Sequence, residues 1–220
     1  QAAANGGCAW EVSNHDQARA VSRYGGGEQG LRRALALTAL MAVFDGMVFV
    51  YQGEELGLPD AVLLGAIEDP MSSRNGEGMW SRDVSRGPMP WTDGPVNGFS
   101  AAAAAWLATA PLPTQLTAAH QVATPGSTWH RYRQLIGLRK QFPALWQAPF
   151  QLVEHGAQHV VLRRGSLVVA ANLGAQPVAV AALAGGSVVY ASDAAPVGTT
   201  VPGECTVIID TASAGGTASP

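Results

Sequence analysis

The sequence predicts an α/β fold: the C-terminal part of a (β/α)8 barrel followed by an all-β antiparallel, sandwich-like domain. Three observations carry this expectation. Strand-like and helix-like segments alternate early in the chain, which implies a sheet layered with helices. After Pro143 the texture changes to short β-type runs separated by Gly, Pro, Asn and Asp. The composition, 47% hydrophobic and 13% charged over 220 residues, supplies one sizeable core or a core and a satellite. Two strand–helix units cannot close a sheet, and a whole barrel takes about 250 residues. The chain, which starts at Gln1, therefore reads as a piece of a longer protein. The expected boundaries are 1–145 for the barrel portion (about strands 7–8 and helices 7–8), 146–211 for the β domain and 212–220 for a flexible tail.

The same composition excludes several classes. A net charge of -3 offers no basic field for a polyanion, so nucleic acid is not an expected partner. Low charge with high apolarity is the opposite of a disordered chain. Cys8 and Cys205 lie near opposite ends without metal-type spacing, so neither a disulfide framework nor a zinc module organises the fold. The apolar stretch from Ala34 to Tyr51 has about the length of a bilayer span. Asp45-Gly46 interrupts it, and a central charge is costly in lipid. No membrane partner is expected. Nothing before Asn14 resembles a signal peptide, and the expected location is cytoplasmic.

Each element follows in order. Trp10-Glu11-Val12-Ser13 reads as a strand whose end feeds the polar cluster Asn14-His15-Asp16-Gln17. Gly25, Gly26 and Gly27 mark a loop. A helix is expected from about Leu31 to Phe44, apolar on nearly every face and so buried on more than one side. Asp45-Gly46 stops it. Met47 to Tyr51 is a continuous apolar run, as in a parallel strand covered on both faces. From Gln52 to about Ser127 periodicity fades, and a long irregular stretch in a compact domain is usually functional or disordered. Trp80, Trp91 and Trp106 argue against disorder, since each carries a large area that prefers burial. The Ala-rich part from Ala101 to Ala123 is left open between helix and coil. Trp129, Tyr132, Leu135, Ile136 and Arg139 recur at helical spacing, and Pro143 ends that helix. Val160 to Leu162, Leu167 to Leu173, Val178 to Val180, Val188 to Tyr190 and Val207 to Ile209 read as strands of an antiparallel sheet or small sandwich.

Chemistry concentrates at the ends of the first two strands. His15-Asp16 sets an imidazole beside a carboxylate, and both can touch one polar ligand; a plain loop turn is the alternative. Gln52-Gly53-Glu54-Glu55 adds two acids at the same expected face, though acids also favour a helix N-terminus. Arg82 and Arg86, with Asp83 between them, either clamp a polar substrate or brace a loop by ion pairs.

Taken together these segments occur in a recognisable order. Asn14-His15-Asp16-Gln17 with Val21-Ser22-Arg23-Tyr24-Gly25 resembles the seventh-strand motif of glycoside hydrolase family 13, the α-amylase superfamily. Tyr51-Gln52-Gly53-Glu54-Glu55-Leu56-Gly57 resembles the segment after its eighth strand. Arg82-Asp83-Val84-Ser85-Arg86-Gly87-Pro88-Met89-Pro90-Trp91, then Gly98-Phe99-Ser100, is similar to a loop of its α-glucosidase and oligo-1,6-glucosidase branch. Leu135 to Lys140 with Phe142-Pro143-Ala144-Leu145 resembles the last barrel helix. The resemblance covers nearly the whole chain.

The resemblance implies a TIM-barrel enzyme that hydrolyses α-glucosidic bonds of short oligosaccharides with retention. Two carboxyls about 5–5.5 Å apart then act as nucleophile and acid/base. It implies that Asp16 stabilises the transition state and that His15 and Arg82 bind the same sugar ring. Asn14, Glu54, Glu55 and Arg86 become supporting residues. A small oligosaccharide is the implied partner, no cofactor is implied, and no residue here points to a metal. Neither the nucleophile nor the acid/base motif is found in this chain. The piece alone is therefore expected to be inactive and to need the missing N-terminal part of the barrel. Ala18 stands where relatives usually have Pro, Gly87 where they have Thr, and Asp45-Gly46-Met47-Val48 replaces a more usual Gly-Thr-Pro. Competing readings are a glycosyl-transferring sibling such as trehalose synthase or sucrose isomerase, a non-catalytic transporter heavy chain, and a carbohydrate-binding module formed by the terminal β region.

Overall fold

The computed structural model describes residues 8–75, 81–193 and 195–212. The chain divides into two compact units: Gln1–Glu11, Arg32–Phe49 and Arg133–Pro220 make one, and Val12–Leu31 and Val50–Tyr132 the other. Among the described residues no helix is long and apolar enough to cross a membrane.

The elements in chain order are β1 (Ala9–Trp10), α1 (Ala20–Arg23), α2 (Gly27–Met41), β2 (Met47–Val48), α3 (Pro70–Asn75), α4 (Ala118–Ala123), α5 (Thr128–Gln141) and α6 (Ala144–Gln147). Strands β3 (Phe150–His155), β4 (His159–Arg164), β5 (Leu167–Asn172), β6 (Val178–Ala179), β7 (Ser187–Ala191), β8 (Thr200–Val201) and β9 (Cys205–Asp210) follow. Short 3-10 turns lie between them, at Glu54–Leu56, Arg82–Ser85, Pro95–Gly98, Thr114–Leu116 and Ala181–Leu183.

In the first unit β1 pairs parallel with β2, Ala9 opposite Met47 and Trp10 opposite Val48. The turn after α2 is built around Gly46, whose φ is 104°. A Cβ there would stand 2.1 Å from the Cys8 carbonyl oxygen, so only glycine lets the two backbones approach. Trp10 Nε1 donates to Asp45 O at 2.7 Å, and Trp10 also stacks against Phe44 at 4.9 Å.

The turn that follows α2 carries backbone carbonyls that need partners. Arg139 of α5 supplies them, donating to Ala42 O, to Phe44 O at 3.2 Å and to Gly46 O at 2.6 Å. This explains why a cation shares the helical spacing of the apolar residues on α5. Replacing Arg139 by Ala is expected to cost about 2–3 kcal/mol, because several charge-assisted bonds are lost together. Thermal unfolding reads this, and an unchanged Tm would refute the role of Arg139 in bracing this turn.

The sheet runs β3-β4-β5-β9-β7, all pairs antiparallel. Its side chains alternate between two cores, as a period of two requires. Leu167, Val169, Ala171 and Ile208 face Ala39, Leu40 and Val43 of the α2 region, Leu135 and Leu138 of α5, and Leu145 of α6. Val168, Ala170, Val207 and Ile209 face Val180, Leu183 and Val201 around the small β6–β8 pair. One layer of helix and one of ribbon thus cover the sheet. Thr206 Oγ1 donates to Ala36 O at 2.8 Å. The buried Glu204 carboxylate accepts from Arg32 Nη2 at 3.0 Å and Arg33 Nε at 2.7 Å, tying the start of α2 to the β9 side.

Several expectations are corrected. The first strand is Ala9–Trp10, not Trp10 to Ser13, because pairing with β2 ends there. Helix α2 begins at Gly27 and closes at Met41. The run from Met47 to Tyr51 is a strand only over Met47–Val48, and Met47, Phe49 and Val50 are exposed rather than covered. The Ala-rich segment, left open above, is helical over Ala118–Ala123. Pro143 ends α5 yet also starts α6, where a fixed φ suits the first helical positions. Trp91 and Trp106 are 50% and 80% exposed, against the expected burial; Trp80 lies outside the described residues. Strand β3 is additional, and Val178 to Val180 belongs to the ribbon with β8, not to the sheet. Of the expected tail, Ala212 is described, its N–H donating to Asp210 Oδ1 at 2.9 Å, and 213–220 lie outside the described residues.

In the second unit Leu56, Leu58 and Met89 form a small core, with Leu112, Leu116 and Trp129 against it. Gln121 of α4 ties it together, donating to Leu56 O at 2.8 Å and accepting from Trp129 N at 3.1 Å.

Candidate active site

The polar cluster lies in the second unit, beyond Glu11. Asn14 Oδ1 accepts the Asp16 N–H at 2.9 Å. This turn, formed by a short amide side chain, bends the chain so that His15 and Asp16 stand clear of the backbone before α1. Asp16 is about half exposed, and its carboxylate is met from three sides. Arg82 Nη1 donates to Oδ1 at 3.1 Å and Arg86 Nη2 to the same oxygen at 2.9 Å. His15 Nε2 lies 3.5 Å from Oδ2. Arg86 Nε also donates to the His15 carbonyl at 2.9 Å. Partial burial pushes the Asp16 carboxyl up. The Arg82 hydrogen bond and the charges of His15, Arg82 and Arg86 outweigh it and hold the pKa below the ordinary value. Asp16 is thus an anion with one oxygen clamped and the other beside an imidazole.

Arg82 is itself fixed. Ser81 caps the 3-10 turn, its hydroxyl accepting from Asp83 N at 3.1 Å. Asp69 Oδ2 accepts from Arg82 N at 3.0 Å and Nε at 2.9 Å, and Oδ1 from Arg82 Nη2 at 2.6 Å. Asp83 does not pair with either arginine among the described residues; its Oδ2 accepts from Glu68 N at 2.7 Å and Asp69 N at 3.0 Å. The Arg82 hydrogen bonds drive the Asp69 carboxyl far below the usual carboxylate range, against the opposing effect of its burial.

The two acids after the second strand are placed differently. Gly53, at φ 88°, opens the turn Glu54–Leu56. Glu54 is buried; it accepts from Ser13 Oγ and from Tyr51 N at 3.2 Å. Glu55 turns back onto Gly53 N at 2.8 Å. Neither bonds to the Asp16 group among the described residues. Arg19, also buried, lies over the Tyr51 ring at 5.3 Å and donates to Gln52 O at 2.7 Å. Glu54 therefore holds the residue just before Asn14, and Arg19 fastens the same two segments from the other end of the loop.

Burial raises the Glu54 pKa, with the Ser13 and Tyr51 hydrogen bonds opposing it. A raised folded pKa means the native state holds a proton that the unfolded state has released. Stability from this group is present at acid pH and is lost as pH rises through the raised value. The Glu54→Gln variant removes that slope. Its Tm is expected to gain on the wild type as pH rises above the ordinary glutamate value; a difference that does not change with pH would refute this.

Asp69, Ser13 and Ser81 were not singled out by sequence reasoning. Ser81-x-Asp83 is a recognisable cap signal. Asp69-Pro70 carries no local sign of its partner thirteen residues away. Gly87 sits against Ala61: a Cβ would come 3.1 Å from the Ala61 Cβ, so the two small residues suit each other.

Comparison with known proteins shows the family. Residues 1–148 match the family described as "Alpha amylase, catalytic domain", and residues 153–209 match a domain of unknown function that has its own family description. An alpha-glucosidase of Pediococcus pentosaceus is 36% identical over 172 residues, covering 67% of this chain and 31% of that protein. A probable alpha-glucosidase of Rhizobium meliloti is 36% identical, over 70% of this chain and 28% of that protein. Among solved structures, the alpha-glucosyl transfer enzyme XgtA superposes with a TM-score of 0.74 at 28% identity, covering 91% of this chain and 39% of that one. A trehalulose synthase variant superposes with a TM-score of 0.76 at 25% identity, over 92% of this chain and 42% of that one. The chain spans about a third of the length of the curated relatives it matches. With a parallel strand pair and helices ahead of an antiparallel sheet domain, and with both family matches in register, the chain belongs to the α-amylase family, glycoside hydrolase family 13, and comprises part of its TIM-barrel catalytic domain and the domain that follows.

Proposed function

We propose that this chain is part of a retaining α-glucosidase that hydrolyses short α-glucosides of the maltose, isomaltose or sucrose type, and that it supplies the carboxylate stabilising the transition state. The observation that carries the reading is the Asp16 carboxylate, ionised and half exposed between the guanidinium groups of Arg82 and Arg86 and beside the His15 imidazole. Cleavage passes through a flattened, positively charged glucosyl ring. A fixed anion at that ring is worth more in the transition state than in the ground state, so it raises kcat. His15 and Arg82 donate to the ring hydroxyls, and Arg86 keeps Asp16 charged and aimed. The bond-making carboxylates lie outside this chain, so the isolated piece is inactive.

A second reading, transfer of the glucosyl unit to another sugar, is supported by the likeness to the alpha-glucosyl transfer enzyme. Product analysis of the complete protein on maltose and sucrose separates the two. Free glucose as the main product supports hydrolysis, a rearranged or longer saccharide supports transfer, and no turnover of any α-glucoside sinks both. Turnover by the isolated chain would overturn its assigned inactivity.

A further inference from the structure

We propose that Asp69 is the positioning residue of this site: it holds the Arg82 fork so that one guanidinium nitrogen is presented to the sugar ring beside Asp16. The proposal rests on the α-glucosidase reading and adds to it a residue that never touches substrate.

The geometry assigns each donor of Arg82. Its backbone N–H, Nε and Nη2 all end on the two oxygens of Asp69, at 3.0, 2.9 and 2.6 Å. Only Nη1 points elsewhere, toward Asp16 Oδ1 at 3.1 Å. A bidentate carboxylate matches the planar fork of arginine and fixes both its position and its plane. The Asp69 side chain is fully buried while that of Arg82 is a quarter exposed, so the anchor is inside and the working edge is outside. Asp69 is held in turn. Asp83 accepts the N–H groups of Glu68 and Asp69, while Asp69 accepts the N–H of Arg82 and that of Met71 at 3.0 Å. The 68–69 turn and the Arg82–Ser85 turn are therefore clasped reciprocally by two carboxylates. Ser85 Oγ donates to Arg82 O at 2.9 Å and closes the turn from behind.

The consequence is pre-organisation. A long arginine side chain free in solvent must be immobilised when substrate arrives, and that cost comes out of affinity and rate. Asp69 immobilises Arg82 during folding instead. It also keeps Arg82 from collapsing wholly onto Asp16, because two of its three side-chain nitrogens are already engaged.

The test compares Asp69→Asn, Asp69→Glu and Arg82→Lys in the complete protein. The substrates are 4-nitrophenyl α-glucoside and its monodeoxy analogues, each lacking one ring hydroxyl. In the wild type, one deoxy analogue should lose on the order of 100-fold in kcat/KM against the parent, since a site built to bond a hydroxyl rejects its absence. In Asp69→Asn and Asp69→Glu that discrimination should shrink to a few-fold, as in Arg82→Lys, with the parent kcat/KM falling about 10- to 100-fold. The discrimination is a ratio, so partial misfolding of a variant does not move it. Unchanged discrimination in both Asp69 variants, with Arg82→Lys losing it, would overturn the positioning role. Failure of the wild type to turn over any α-glucoside would instead remove the functional reading itself.

Discussion

Asp16→Asn in the complete protein is expected to lower kcat for α-glucoside hydrolysis by about 10³-fold, with KM changed only a few-fold. The argument is electrostatic. On the α-glucosidase reading proposed above, the carboxylate faces positive charge that develops only as the glycosidic bond breaks, and removing one such preorganised group costs about 10²–10³ in kcat. Asparagine keeps the shape and the Arg82 and Arg86 contacts but not the charge. Because Asp16 is about half exposed, the fold should tolerate the change, and an unaltered Tm makes the loss readable as chemistry. The same reasoning gives a pH dependence. The folded pKa of Asp16 lies below its ordinary value. The anion is therefore lost at a lower pH than that of an unperturbed aspartate. Arg86→Ala removes one of the charges that depress it, so any acid limb set by Asp16 should move to higher pH. A wild-type-like kcat in Asp16→Asn would end the assignment.

Ile208→Ala is expected to destabilise the protein by about 3 kcal/mol and to lower Tm by roughly 6–12 °C. Ile208 has no exposed surface. It stands opposite Val169 on β5 and Tyr190 on β7, in the core shared with Leu40, Val43, Leu135 and Leu138. Removing its outer carbons leaves a cavity that two hydrogen-bonded neighbours on either side cannot close. Val153→Ala on β3, a strand exposed along its length, serves as the contrast and should stay within about 0.5 kcal/mol. Equal Tm values for the two variants would show that the sheet core does not carry this unit.

Legibility followed burial. Strands β4, β5, β7 and β9 could be read because apolar residues either alternate or run continuously where both faces are covered. Strand β3 could not. Phe150-Gln-Leu-Val-Glu-His155 mixes apolar and polar side chains, all exposed, and its conformation is set by pairing with β4. The start of α2 was hidden because Gly27 and Gly30 look like loop; a Cβ on Gly30 would meet the Val21 carbonyl at 2.1 Å, so the glycine serves a close approach. Exposed Trp91 and Trp106 misled the argument from aromatic area.

What the order of residues determined alone is local. The turn at Asn14 that presents His15 and Asp16, the apolar faces of α2 and α5, and the two-residue period of the sheet all arise within a few positions along the chain. The sheet order, with β9 between β5 and β7, and the meeting of Asp16 with Arg82 and Arg86 across some seventy residues were decided only by the folded whole. So was the choice of Asp69 as anchor for Arg82. The reason is loop closure: distant partners become neighbours only when packing has already offset the entropy of bringing them together, and no local pattern records which partners those are.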